Sequence, residues 1–158
     1  MRYWLMKSEP DAYSIHDLER DGTTFWNSIR NYQARNFMRD DMKVGDRVLF
    51  YHSNANPPGV AGIAEVVREG YPDHTAQDPK DDYHDPKATP EDPRWYMVDV
   101  AFVEKFDVVL PLEELKARRT FDDMVVTGKS RLSIQPVAKK HFDAVVKLAR
   151  RYAEQNGG

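Results

Sequence analysis

The chain has 158 residues, 41% of them hydrophobic and 31% charged, with a net charge of −3. That length suits one domain with a substantial core, and the composition is that of a globular chain, not a disordered one. No apolar run approaches the ~20 residues that cross a bilayer, and the absence of cysteine excludes disulfides, Cys-ligated zinc and thiol nucleophiles.

The opening "MRYWLMKSEP" has no long apolar targeting core. It reads as structure, so the expected location is the cytoplasm, or the nucleus in a eukaryote. Its alternation predicts a strand over Arg2 to Lys7, ended by "SEP". Ser14 and Asp17 form a capping-box pattern that predicts a helix over Ile15 to Arg20, stopped at Gly22. "TTFWNS" reads as a short strand or a loop, and a helix fits Asn31 to Arg39. "KVGD" is a turn signal ahead of a strand over Arg47 to His52. "VAGIAEVVREGY" is the next strand, and its Gly62 predicts a bulge or tight curvature. A Pro- and Asp-rich loop follows, then a long strand over Trp95 to Asp107. Pro111 starts the helix "LEELKAR". "MVVTGKSRLSIQPV" is a loop with strand-like pieces, and Pro136 opens the last helix. On that helix Phe142, Val145, Val146, Ala149 and Tyr152 share one face, with His141 expected on the surface. Runs of strands with helices between and after them predict one α+β domain over residues 1–155, of small barrel-like architecture.

Net charge weighs mildly against nucleic acid, but the charge is uneven. Asp73 to Pro93 carries seven acids against two lysines, a local −5 that leaves +2 on the rest of the chain. An acidic loop on a mildly basic body is compatible with a basic binding face. Enzyme signatures are missing. The five histidines show no HxxxH or HExxH spacing, and no GxSxG elbow, P-loop or GxGxxG occurs. His52 and Ser53 are adjacent on a strand, so they face opposite ways, which is poor geometry for a nucleophile and its base.

"FWNSIRNYQARNF", Phe25 to Phe37, is the most informative stretch. It crowds four aromatics, four amides and two arginines into thirteen residues. A nucleobase offers a π-face for stacking, an edge for amides and hydroxyls, and flanking phosphates for arginines. Trp26, Tyr32, Tyr51 and Trp95 lie near element ends, where a pocket mouth forms, although each taken singly, Tyr51 above all, is more often a core residue.

The blocks "YWLMKSEP", "WNSIRNYQARNFMRDDMKVGDRVLFYHS", "GVAGIAEVV", "DPRWYMVDV" and "KSRLSIQPV" resemble the EVE-domain family, in order, over nearly the whole chain. One departure is Asn27-Ser28-Ile29, where the family more often has Gly and Val before the arginine. The resemblance implies a PUA-like fold, a mixed and strongly curved β-barrel flanked by helices. It also implies kinship with YTH domains, which hold a methylated adenine of RNA in an aromatic cage. EVE domains themselves are associated with modified cytosines or other modified bases in DNA. By that resemblance "KSEP", Trp26-Asn27, "FYHS" and Trp95 line the pocket, and "RLSIQP" with Ser133 closes one side.

The expected base pocket is therefore Lys7, Ser8, Trp26, Asn27, Tyr32, His52, Ser53, Trp95 and Ser133. Trp26 and Trp95 are its stacking walls, and Asn27, His52 and Ser53 its edge readers. Arg30, Arg35, Lys129 and Arg131 are the expected phosphate contacts. No catalytic residue, metal or cofactor and no membrane partner are implied, and the protein is expected to act as a monomer. Alternatives stay open. Asn31, Tyr32, Gln33 and Asn36 equally serve as partners for buried backbone groups, Arg30 as a solvated arginine, and Lys7 as an ion-pair partner of Glu9 or Asp11. The favoured reading is a non-catalytic reader of a modified base, in DNA more than in RNA. Its rivals are an RNA-binding module, a sensor of a free planar ligand, and a nucleotide or base hydrolase using His52.

Overall fold

The alternation in "YWLMKS" and "RVLFYH" is realised as two neighbouring strands, β1 (Tyr3–Ser8) and β3 (Arg47–His52), which pair in parallel from Tyr3 with Arg47 to Ser8 with His52. Trp4, Met6, Val48 and Phe50 point to one face, and Leu5, Leu49 and Tyr51 to the other. Both faces are buried, because helices cover each of them. The computed structural model describes residues 1–157. Its remaining strands are β2 (Thr23–Phe25), β4 (Gly59–Pro72), β5 (Tyr96–Pro111) and β6 (Ile134–Val137). The sheet order is β2-β5-β4-β3-β1-β6, and every pairing except β1 with β3 is antiparallel.

The α+β class is as expected, but the barrel is not closed. β2 and β6 are the two edges of an open mixed sheet, and they are only three and four residues long. They do not pair with one another, and the sheet bends within its long strands. β4 against β5 changes register four times, including between Val60 and Gly62, and each such irregularity adds local twist. Gly62 is required there. A Cβ at this position would lie 2.3 Å from the Glu104 carbonyl oxygen and 2.9 Å from the Ile15 side chain.

On one face α1 (Ile15–Asp21) buries Ile15 and Leu18, and α2 (Tyr32–Asn36) buries Ala34. The Ser14–Asp17 capping box is formed in both directions. Asn31 caps α2 by accepting from the Ala34 N–H at 2.9 Å. The helix expected through Arg39 changes character after Asn36, continuing as a π-helical turn over Phe37–Asp41 that closes with the Met42 N–H donating to the Phe37 carbonyl.

On the other face lie α3 (Leu112–Lys116), for which Pro111 is the N-cap, and α4 (Lys139–Asn156). Pro136 does not open α4. It sits in β6 opposite Trp4, where an edge strand tolerates a residue without an N–H. His141 is buried at 5% exposure, beside Phe121, because the apolar face of α4 is wide enough to include the row His141, Val145 and Leu148.

Candidate functional site

A cleft of about 560 Å³ opens where the end of β1, the turn leading to α1, and the segment following β2 converge. Lys7, Ser8 and Glu9 form one side, Ala12 and Tyr13 another, and Thr24 to Ile29 the third; Tyr83 reaches in from the acidic loop. The volume is within the range of small-ligand sites. Its aromatic base is Trp26, only 7% exposed and braced edge-on by Phe50 at 5.4 Å between ring centroids. Phe50 is braced in turn by His52 at 5.7 Å.

The cleft holds polar groups without protein partners among the described residues. The Asn27 side-chain amide and the Trp26 indole N–H make no internal hydrogen bond, although Trp26 N–H is reached by solvent. Lys7 has no acidic partner among the described residues. Its ammonium lies 3.5 Å from the Ser130 carbonyl and 5.8 Å from the Tyr51 ring, and burial pushes its pKa down. The Ser8 hydroxyl donates to the Tyr13 carbonyl at 2.6 Å; its lone pairs are left for an incoming donor. Tyr13 donates to Asp21 at 2.9 Å, and burial pushes its pKa up.

The acidic loop is fastened to the body beside this cleft. Asp73 is fully buried and accepts from the Ser28 N–H at 2.7 Å, Arg30 at 3.1 Å, and the Thr75 N–H and hydroxyl at 2.8 and 2.6 Å. Burial alone would raise its pKa, but these hydrogen bonds outweigh it and hold the carboxyl below its ordinary value. Arg30 donates to Ile29, Asp73, Thr75 and, through two nitrogens, to the Tyr83 carbonyl at 3.1 and 2.7 Å. Further along, Trp95 donates its indole N–H to Asp85 at 2.7 Å and packs on Ala76 and Ala88. Tyr32 stacks on Trp95 at 4.8 Å and 25°. Arg35 lies 4.8 Å from the Tyr32 ring, and Arg30 lies 5.5 Å from that of Trp95.

The EVE domain profile matches residues 2–148. This chain belongs to the EVE domain family. Thymocyte nuclear protein 1 of Gallus gallus is 42% identical, over 92% of this chain and 68% of that protein. The fold agrees with a protein from Leishmania major at TM-score 0.92 and 51% identity, covering 96% of each chain. It also agrees with human THYN1 protein, solved in complex with 5-methylcytosine-containing DNA, at TM-score 0.89 and 41% identity, over 94% of this chain and 98% of that one.

Within this EVE domain the expected pocket residues divide. Lys7, Ser8, Trp26 and Asn27 line the cleft together. Ser133 sits behind Lys7, its carbonyl accepting the Lys7 N–H at 2.8 Å, and the Ser53 N–H donates to the Ser8 carbonyl at 3.0 Å. Both support the backbone of β1. His52 is not an edge reader in this geometry, because its Nε2 accepts the Ile15 N–H at 3.1 Å in the interior. Tyr32 and Trp95 lie outside the cleft, in the stack that holds the loop, so Trp95 is not the wall facing Trp26. The physical reason is the Asp85 carboxylate, which captures the Trp95 N–H and turns the indole toward the loop.

The expected phosphate contacts divide as well. Arg30 is not solvated and has all five N–H groups engaged within the protein. Arg35 is half-engaged, through Asn36 and the Arg94 carbonyl. Lys129 and Arg131 are exposed, form no ion pair among the described residues, and flank the Ser130 carbonyl that Lys7 approaches. Lys7 pairs with neither Glu9 nor Asp11. The residues not anticipated are Tyr13, Thr24, Phe25, Ile29 and, above all, Tyr83. Tyr83 is an isolated aromatic in "DDYHD", and only its place in the lining of the same cleft as Trp26 marks it.

Proposed function

We propose that this EVE domain is a non-catalytic reader of a modified base, with a modified cytosine in DNA as the favoured target. The observation that carries the reading is the cleft itself. A braced indole, an uncommitted amide and an ammonium without an acidic partner among the described residues meet in one cavity, and the ammonium approaches the Ser130 carbonyl between exposed Lys129 and Arg131. The indole offers a stacking face, Asn27 offers edge hydrogen bonds, and Lys129 and Arg131 attract the flanking phosphates. The likeness to human THYN1 protein in complex with 5-methylcytosine-containing DNA favours DNA and cytosine over other polymers and bases. His52, the base that a hydrolase reading would use, is buried with its Nε2 accepting the Ile15 N–H, which favours binding over hydrolysis.

Selectivity follows from size. Burying one methyl is worth about 0.8 kcal/mol, roughly a fourfold preference, unless the unmodified base also packs badly. Reading a duplex further requires flipping the base out, at a cost of a few kcal/mol. The expected behaviour is modest affinity that weakens steeply with salt. The test is titration of fluorescent duplexes carrying 5-methylcytosine, 5-hydroxymethylcytosine, methyladenine or no modification, with matching RNA. Preference for a modified cytosine, lost in Trp26→Ala, is the expected result. Equal binding to all probes, unchanged by Trp26→Ala, rejects the reading.

A further inference from the structure

We infer that Tyr83 supplies the second aromatic wall of the base site, and that Arg30 acts by positioning it; this rests on the base-reading proposal above. Tyr83 belongs to no core cluster, is 52% exposed, and its hydroxyl has no partner among the described residues. By itself that describes a solvated loop tyrosine. What distinguishes it is the backbone. The Tyr83 carbonyl accepts from both Nε and Nη2 of Arg30, a forked pair of bonds from a guanidinium that is itself locked on buried Asp73 and on Thr75. The Tyr83 N–H donates to Asp81 at 2.8 Å, so the residue is pinned on both sides. A fixed backbone carrying an unattached ring, at the mouth of a cleft whose base is an indole, is the arrangement that closes over a planar ligand. The Arg30 Cζ lies 6.0 Å from the Tyr83 ring centroid, at the margin of cation–π attraction, so the ring keeps freedom to turn.

The ligand class follows from the two walls. A planar heterocycle stacks on Trp26 and is covered by Tyr83, while Asn27, adjacent to both, reads its edge. Lys80, Asp81 and Asp82 share an adjoining cleft with Asn27, Ser28 and Tyr83.

The test uses the whole protein and two duplexes that differ only in one 5-methylcytosine, titrated over a salt series. Tyr83→Ala should weaken binding of the methylated duplex about tenfold or more, as expected for one lost stacking surface. Tyr83→Phe, which keeps the ring, should restore most of that loss. Arg30→Lys leaves a cation beside Asp73 but cannot fork onto the Tyr83 carbonyl. It should weaken binding without changing the salt slope, and should add nothing in the Tyr83→Ala background. Melting temperatures report that each variant is folded. A wild-type protein that prefers the methylated duplex, with Tyr83→Ala within twofold of it, overturns this inference and leaves the parent reading standing. An Arg30→Lys effect that adds to that of Tyr83→Ala, with an Arg30→Gln variant that lowers the slope of log K against log salt by about 0.9, makes Arg30 a phosphate contact and overturns its positioning role. A wild-type protein indifferent to the modification overturns the parent reading and this inference with it.

Discussion

Ser28 has φ +66°, a left-handed conformation at a position where the family resemblance more often has glycine. Its strain is tolerated because its N–H is one of the donors that neutralise buried Asp73. Left-handed backbone costs a non-glycine residue on the order of 1–2 kcal/mol, partly offset by the greater unfolded-state entropy of glycine. Ser28→Gly should therefore stabilise the protein by about 0.5–1 kcal/mol, a rise of roughly 2 °C in a thermal melt. His52 gives a prediction in pH. Burial, and secondarily His16, lowers its pKa, and its Nε2 is the acceptor for the Ile15 N–H at the start of α1. Between the lowered folded pKa and the unfolded value near ~6.5, the unfolded chain binds more protons. The stability that His52 contributes is complete above about pH 6.5 and is lost as pH falls through its folded pKa. Melting temperature followed downward from pH 7.5 should show this step, and His52→Gln should lack it.

At the scale of elements, the acidic loop is held by two anchors, one at each end. Arg30 with Asp73 and Thr75 fixes its start, while Trp95 with Asp85, Tyr32 and Arg35 fixes its return. Helix α2 is only five residues long and would be marginal alone; its role here is to present Tyr32 and Arg35 to that stack. Trp95→Ala removes the stack, the Ala76 and Ala88 contacts and the partner of Asp85 together. It should cost about 3 kcal/mol and open residues 77–93 to limited proteolysis while far-UV circular dichroism stays native-like. Intact protection of that loop in a folded Trp95→Ala protein would refute the anchor. The sheet depends similarly on β4, where Gly62 lets β5 and Ile15 approach closely.

Over the whole molecule, the net charge of −3 conceals a division between the loop and the body. Lys129 and Arg131 are exposed on either side of Ser130, whose carbonyl the cleft residue Lys7 approaches. Replacing either Lys129 or Arg131 by alanine should lower the slope of log K against log salt by about 0.9 and weaken methylated and unmethylated duplexes alike. A loss confined to the methylated duplex would mean that the residue touches the base and not the backbone.

The alternating strands, the Ser14–Asp17 box, the α4 face and the block spacing of the family were all legible in the chain, because each is a local pattern or a series of them. The same stretch "FWNSIRNYQARNF" defined the site, and Lys7, Ser8, Trp26 and Asn27 do converge. Residue type alone could not assign the rest. Arginine and tryptophan suit phosphate and base as well as they suit a carboxylate and another ring, and only long-range proximity chooses between them. Asp73 and Asp85, 43 and 10 residues away from their partners, captured Arg30 and Trp95. That capture turned expected ligand contacts into loop anchors and carried Tyr83, undistinguished in sequence, to the mouth of the cleft. The openness of the sheet was likewise a tertiary matter, since which strands pair is decided by the twist and stagger of the whole sheet and not by a pattern within any one strand.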